Sequence, residues 1–125
     1  MPLVFEGQLC LLDYLYFATV QLGREVITGR FVHNYALAYA LGLARPQTLQ
    51  GPRPRYEEDL QPLRQAGVYL TPAAPEPGGI VRRVQWNTVA DAYAEVRRQS
   101  AGYPDWGTVQ LIAPGARFRF YFLCE

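Results

Sequence analysis

There is no lysine in this chain, and it holds only one histidine, two cysteines and a single methionine among 125 residues. Two cysteines as far apart as Cys10 and Cys124, with no histidine at metal-ligand spacing from either, exclude a disulfide framework and a zinc site. They read as two buried free thiols in a reducing compartment. One histidine, His33, leaves no second imidazole for a paired acid and base, and no nucleophile motif accompanies it for a triad. Neither a GxxxxGK nor a GxGxxG pattern occurs, so no nucleotide cofactor is indicated. The first twelve residues are interrupted by Glu6 and Gln8 and lack a basic flank, which excludes a signal peptide or membrane span there and places the protein in the cytoplasm.

What is present is a folding composition. Half of the residues are hydrophobic and 14% are aromatic, against 18% charged, the reverse of a disordered chain. A domain of this length buries roughly two-thirds of its unfolded surface. The net charge is only +1, yet every one of the twelve basic residues is arginine. Guanidinium groups suit forked phosphate contacts and stacking on bases, although a GC-rich genome or a hot habitat would produce the same bias.

Leu3, Phe5, Leu9 and Leu11 alternate with Val4, Glu6, Gln8 and Cys10, which predicts a first strand. Asp13 opens a turn, Tyr14 to Thr19 is apolar and aromatic, and Gly23, Thr28 and Gly29 mark a loop. Arg30 to Leu43 predicts a helix through Phe31, Tyr35, Ala38, Tyr39 and Gly42. Pro46 to Pro62, with four prolines and the run Glu57, Glu58 and Asp59, reads as a loop or insertion carrying solvated charge, with no metal-ligand spacing. Gly67–Thr71 and Ile80–Trp86 predict a hairpin. Thr88 and Asp91 resemble a capping box opening a helix through Val89, Ala92, Tyr93 and Val96. Thr108–Ile112 and Arg117–Leu123 predict a second hairpin around Ala113 to Ala116, with Phe118, Phe120 and Phe122 on one face.

The order strand, helix, strand, strand, helix, strand implies an α+β domain spanning residues 1–125. Its fold class is ferredoxin-like, with two helices on one face of an antiparallel sheet and a Pro-rich insertion at about 46–62. The open face of such a sheet serves RNA-recognition modules as a binding platform. Arg117 and Arg119 project opposite the phenylalanines, followed by Tyr121, a set suited to phosphate contact and base stacking. A plain solvent-facing strand would have the same pattern.

The segment Leu15-Tyr16-Phe17-Ala18-Thr19, then Leu22-Gly23-Arg24, then His33-Asn34-Tyr35-Ala36-Leu37 and Tyr39-Ala40-Leu41-Gly42 resembles the Csc-one group of Cas-five proteins of type I-D CRISPR surveillance (Cascade) complexes. The closing Leu111-Ile112-Ala113-Pro114-Gly115 and Phe118-Arg119-Phe120-Tyr121 are similar as well, so the resemblance touches most of the chain. Members of that group are longer, and the chain looks like a short or truncated version. The resemblance implies a ferredoxin-like, repeat-associated fold and a subunit that is not an enzyme and needs no cofactor. Such a subunit caps the 5′ handle of the guide RNA in antiviral defence and abuts the large and backbone subunits. By resemblance and position, Arg24, Arg30, His33 and Asn34 lie near the RNA. Two other readings stand beside it: a metal-independent endoribonuclease with His33 as general base, lacking a visible second acid, and a protein-binding adaptor suggested by near-neutral charge and many tyrosines.

Overall fold

The structure, a computed structural model, describes residues 1–45, 55–87 and 106–125. The predicted helix from Thr88 to about Arg98 lies outside the described residues. Within them the chain is α+β, with strands β1 (Leu3–Cys10), β2 (Val20–Leu22), β3 (Glu25–Ile27), β4 (Val68–Leu70), β5 (Ala74–Pro75), β6 (Val81–Asn87), β7 (Trp106–Ile112) and β8 (Arg117–Cys124). The helices are α1 (Asn34–Ala40), α2 (Tyr56–Asp59) and α3 (Gln61–Gln65). No helix among the described residues is long and apolar enough to cross a membrane.

The chain passes back and forth between two compact units. The first comprises Met1–Cys10, Arg30–Pro77 and Arg117–Glu125. Its sheet runs β1-β8-β4, with β5 also pairing β8, and all these pairings are antiparallel. The alternation in β8 does what period two dictates: Phe118 and Phe120 are 1% and 5% exposed while Arg117 and Arg119 face solvent. In β1 it is realised only toward the C-terminal end, since Leu3 and Phe5 are each 54% exposed. Leu37, Ala38, Ala44, Leu60, Leu70 and Ala73 are buried in the same unit and join its core.

Opposite Phe120 stands Gly7, and a Cβ added there would overlap the phenyl ring. The absent side chain makes room for the ring to lie across the neighbouring strand, an aromatic covering a strand glycine. The second unit repeats the device: Gly107 pairs with Trp86, and a Cβ at Gly107 would come within 2.6 Å of the indole.

That second unit comprises Leu11–Gly29 and Gly78–Ala116, with a sheet in the order β2-β3-β7-β6. The β3–β7 pairing is parallel and the other two are antiparallel. Arg83 bonds Glu25 at 3.1 Å and Gln110 donates to the same carboxylate at 3.4 Å, tying three strands across one face. Buried Thr28 accepts from the Phe17 N–H through Oγ1 at 3.2 Å, satisfying both groups.

Several expectations are corrected here. Neither predicted hairpin forms, because β4 pairs β8 whereas β6 pairs β7, and β7 and β8 belong to different sheets. The turn at Ala113–Ala116 carries the chain from one sheet to the other. Its Gly115 N–H and Ala116 carbonyl bond Leu11, at 2.8 and 2.9 Å. The loop expected around Gly23 is instead the tight turn of the β2–β3 hairpin. Helix α1 starts at Asn34 rather than Arg30, because Val32 is held extended by two backbone bonds to Ala73, at 3.1 and 2.9 Å. It ends with Gly42 and Leu43 N–H groups donating to Tyr39 and Ala38, a closed last turn. Part of the expected 46–62 loop, from Tyr56 onward, is helical, and Asp59 is buried rather than solvated. Cys10 is exposed and Cys124 half-buried, since Cys10 lies beside Arg117 on the solvent side of the sheet.

Candidate nucleic-acid interface

The segment leading into α1 is held by the backbone bonds between Val32 and Ala73 and carries Arg30, His33 and Asn34. His33 is the N-cap residue, with extended backbone (ψ 141°), and its Nδ1 accepts the Tyr35 N–H at 3.2 Å. A neutral imidazole that accepts at Nδ1 carries its hydrogen at Nε2, which makes that nitrogen a donor. The ring is further held edge-on against Tyr35, centroids 5.0 Å apart. Asn34 is a strut: its amide donates to the Leu70 carbonyl at 3.3 Å and its Oδ1 accepts from the Tyr35 N–H at 3.1 Å. Arg30 stands exposed just before this segment and makes no ion pair among the described residues.

Arg117, Arg119 and Tyr121 belong to the same unit, on the solvent face of β8 opposite Cys10, Gln8 and Glu6. Arg119 is already engaged. Its Nη2 and Nε lie 2.9 and 3.1 Å from Glu76 Oε1, and its Nε lies 3.4 Å from Glu6. The bond to Glu76, then the Tyr121 hydroxyl and the Glu6 charge, raise its affinity for its proton above the ordinary arginine value. A phosphate arriving here meets a guanidinium whose charge two carboxylates already balance. Arg117 makes no ion pair among the described residues. The Tyr121 N–H donates to Thr71 Oγ1 at 2.9 Å, which bridges the break between β4 and β5.

Arg24 lies in the other unit, at the β2–β3 turn, with its guanidinium 5.2 Å from the Trp106 ring centroid. Its carbonyl accepts the Thr108 N–H at 2.8 Å. The fold thus brings Arg30, His33, Asn34, Arg117, Arg119 and Tyr121 into one compact unit and assigns Arg24 to the other.

Two features escaped the sequence reading. One is a chain of tilted rings, Tyr35 against Tyr56 with centroids 4.9 Å apart and Tyr56 against Tyr39 at 6.4 Å, ending where the Tyr39 hydroxyl donates to buried Asp59. The i, i+4 spacing of Tyr35 and Tyr39 was the available signal for one side of that aromatic chain. The other is a cavity of about 440 Å³ lined by residues of α1, α3 and β4, with His33, Asn34 and Arg64 among them.

No curated protein matches the chain. The family model for the type I-D CRISPR-associated protein Cas5/Csc1 matches residues 3–125, which is nearly all of it. The chain therefore belongs to the type I-D CRISPR-associated Cas5/Csc1 family, and so to the protein subunits of a CRISPR effector complex.

Proposed function

We propose that the protein is a non-catalytic, cytoplasmic RNA-binding subunit that caps the 5′ handle of the guide RNA and contacts the large and backbone subunits in antiviral defence. The observation that carries this reading is the family match over residues 3–125. The geometry around α1 supports it: His33, held by its cap bond to the Tyr35 N–H, follows three residues after exposed Arg30, which makes no ion pair among the described residues. The ferredoxin-like character of the fold belongs to the same proposal, supported by strand–helix–strand order and the antiparallel pairing of β1, β8 and β4.

A salt series on the assembled complex tests the RNA contact. Each phosphate contact to a single strand contributes about 0.7 to the slope of log affinity against log salt. Arg30→Ala is expected to weaken guide-RNA retention and flatten that slope by about one contact. Arg119→Ala is expected to change it less, because its charge is balanced by Glu6 and Glu76. Equal slopes for wild type and Arg30→Ala, with the complex intact, would remove the segment before α1 from the RNA site.

The non-catalytic assignment has its own test. Repeat RNA incubated with the purified protein without metal is expected to stay uncut. Cutting that disappears in His33→Ala would transfer the chain to the nuclease class, since a base lost to substitution abolishes cleavage.

A further inference from the structure

We propose that the cavity between α1, α3 and β4 is a pocket for a single unstacked nucleotide, with Tyr69 as stacking wall, Arg64 on the phosphate and His33 Nε2 as a hydrogen-bond donor to the base or sugar. This deepens the RNA-binding reading and rests on it.

All three elements lie within one compact unit, so the pocket is built without help from the other. Its volume of about 440 Å³ falls in the range of small-ligand sites. Leu63 and Leu70 form part of an apolar lining, and Leu70 is buried. Tyr35 and Tyr69 add aromatic rings, of which Tyr35 is held in place by His33 and Tyr56. Tyr69, paired with Leu123, belongs to the solvent face of the edge strand β4, opposite Leu70, and is 54% exposed. Arg64 and His33 complete it with donors. Among the described residues Arg64 makes no ion pair and Tyr69 no side-chain hydrogen bond, and none of the residues lining the cavity is acidic.

The combination selects the ligand. A purely apolar occupant would make no use of the guanidinium and the imidazole N–H, both carried by exposed residues. A bare phosphate would gain nothing from the leucines and the tyrosine ring. A flat heterocycle joined to a phosphate satisfies both halves: the ring stacks on an aromatic side chain, as unpaired bases do on RNA-binding proteins, and the anion meets arginine. The absence of a lining carboxylate distinguishes this place from the Arg119 face, where two acids already balance the cation.

The test is nucleotide-resolution chemical probing of the guide RNA in the assembled complex, comparing wild type, Tyr69→Leu and Arg64→Gln, with thermal melting as a folding control. Tyr69 is exposed, so leucine keeps the strand while removing the ring. Tyr69→Leu is expected to raise the reactivity of one base several-fold and leave its neighbours protected. Arg64→Gln is expected to expose the same nucleotide and to flatten the salt slope by about one contact. Unchanged reactivity in both folded variants would overturn the pocket. Loss of a neighbouring subunit with unchanged RNA reactivity would also overturn it, by assigning the cavity to a protein side chain. The underlying reading fails differently: wild-type protein would then protect no nucleotide that a complex lacking this subunit leaves exposed.

Discussion

Phe120→Ala is expected to destabilise the protein by about 3–5 kcal/mol, the loss typical of a large-to-small change at a buried aromatic, because Phe120 is only 5% exposed. Gly7→Ala should also destabilise, by about 1–3 kcal/mol, since the new methyl group must displace the ring that lies over Gly7. The informative variant is the double substitution. With the ring gone, the methyl at position 7 enters space the ring has vacated, so the combined loss should fall short of the sum by about 1 kcal/mol or more. Denaturant titration of the four proteins measures this coupling. Strict additivity would mean that the ring does not sit on the glycine, and the account of how β1 and β8 pack would fail with it.

The same strands mark what could be read from sequence and what could not. Period-two alternation announced both β1 and β8, and correctly set Phe118 and Phe120 against Arg117 and Arg119. Periodicity states which face a residue occupies but carries no information on which strand lies alongside. The hairpin expected between Thr108–Ile112 and Arg117–Leu123 rested on nearness in sequence, and the two strands instead entered different sheets. The β2–β3 hairpin was missed because three-residue strands barely establish a period, although Val20-Gln21-Leu22 and Glu25-Val26-Ile27 flank a glycine turn.

The candidate site divides along the same line. His33 as a cap is a local event, its Nδ1 reaching only two residues along the chain, but a helix expected to start at Arg30 placed it inside the first turn. The compensation of Arg119 was not legible, because Glu6 and Glu76 are far from it in sequence and reach it only through the β1–β8 and β5–β8 pairings. The lining of the cavity is drawn from three elements, and only tertiary structure sets Arg64 and Tyr69 near His33. Asp59 followed two exposed glutamates and read as the end of a solvated run, yet its partner is Tyr39, one helix earlier.

That pairing carries the second large effect. Asp59 is 5% exposed, its Oδ1 has no hydrogen-bond partner among the described residues, and its Oδ2 accepts the Tyr39 hydroxyl. Tyr39→Phe would leave a buried carboxylate without that donor, and hydrogen bonds to charged groups contribute about 1.5–3 kcal/mol. Asp59→Asn keeps an acceptor for the hydroxyl and should destabilise less. The bond also sets a pH dependence. Donation to Asp59, then burial and the Asp59 and Tyr56 charges, pushes the Tyr39 hydroxyl up from 10.0 to about 12. Between those values the unfolded chain has released this proton while the folded protein retains it, so the unfolded state binds fewer protons and stability falls as pH rises. The contribution is fully present below pH 10 and lost as pH climbs to about 12. Denaturation midpoints of wild type and Tyr39→Phe, taken from neutral to alkaline pH, should therefore differ most near neutrality and converge at the alkaline end. The other tyrosines titrate in both proteins and cancel in the comparison. A Tyr39→Phe protein as stable as wild type at neutral pH would mean that the Asp59 carboxylate does not depend on the hydroxyl.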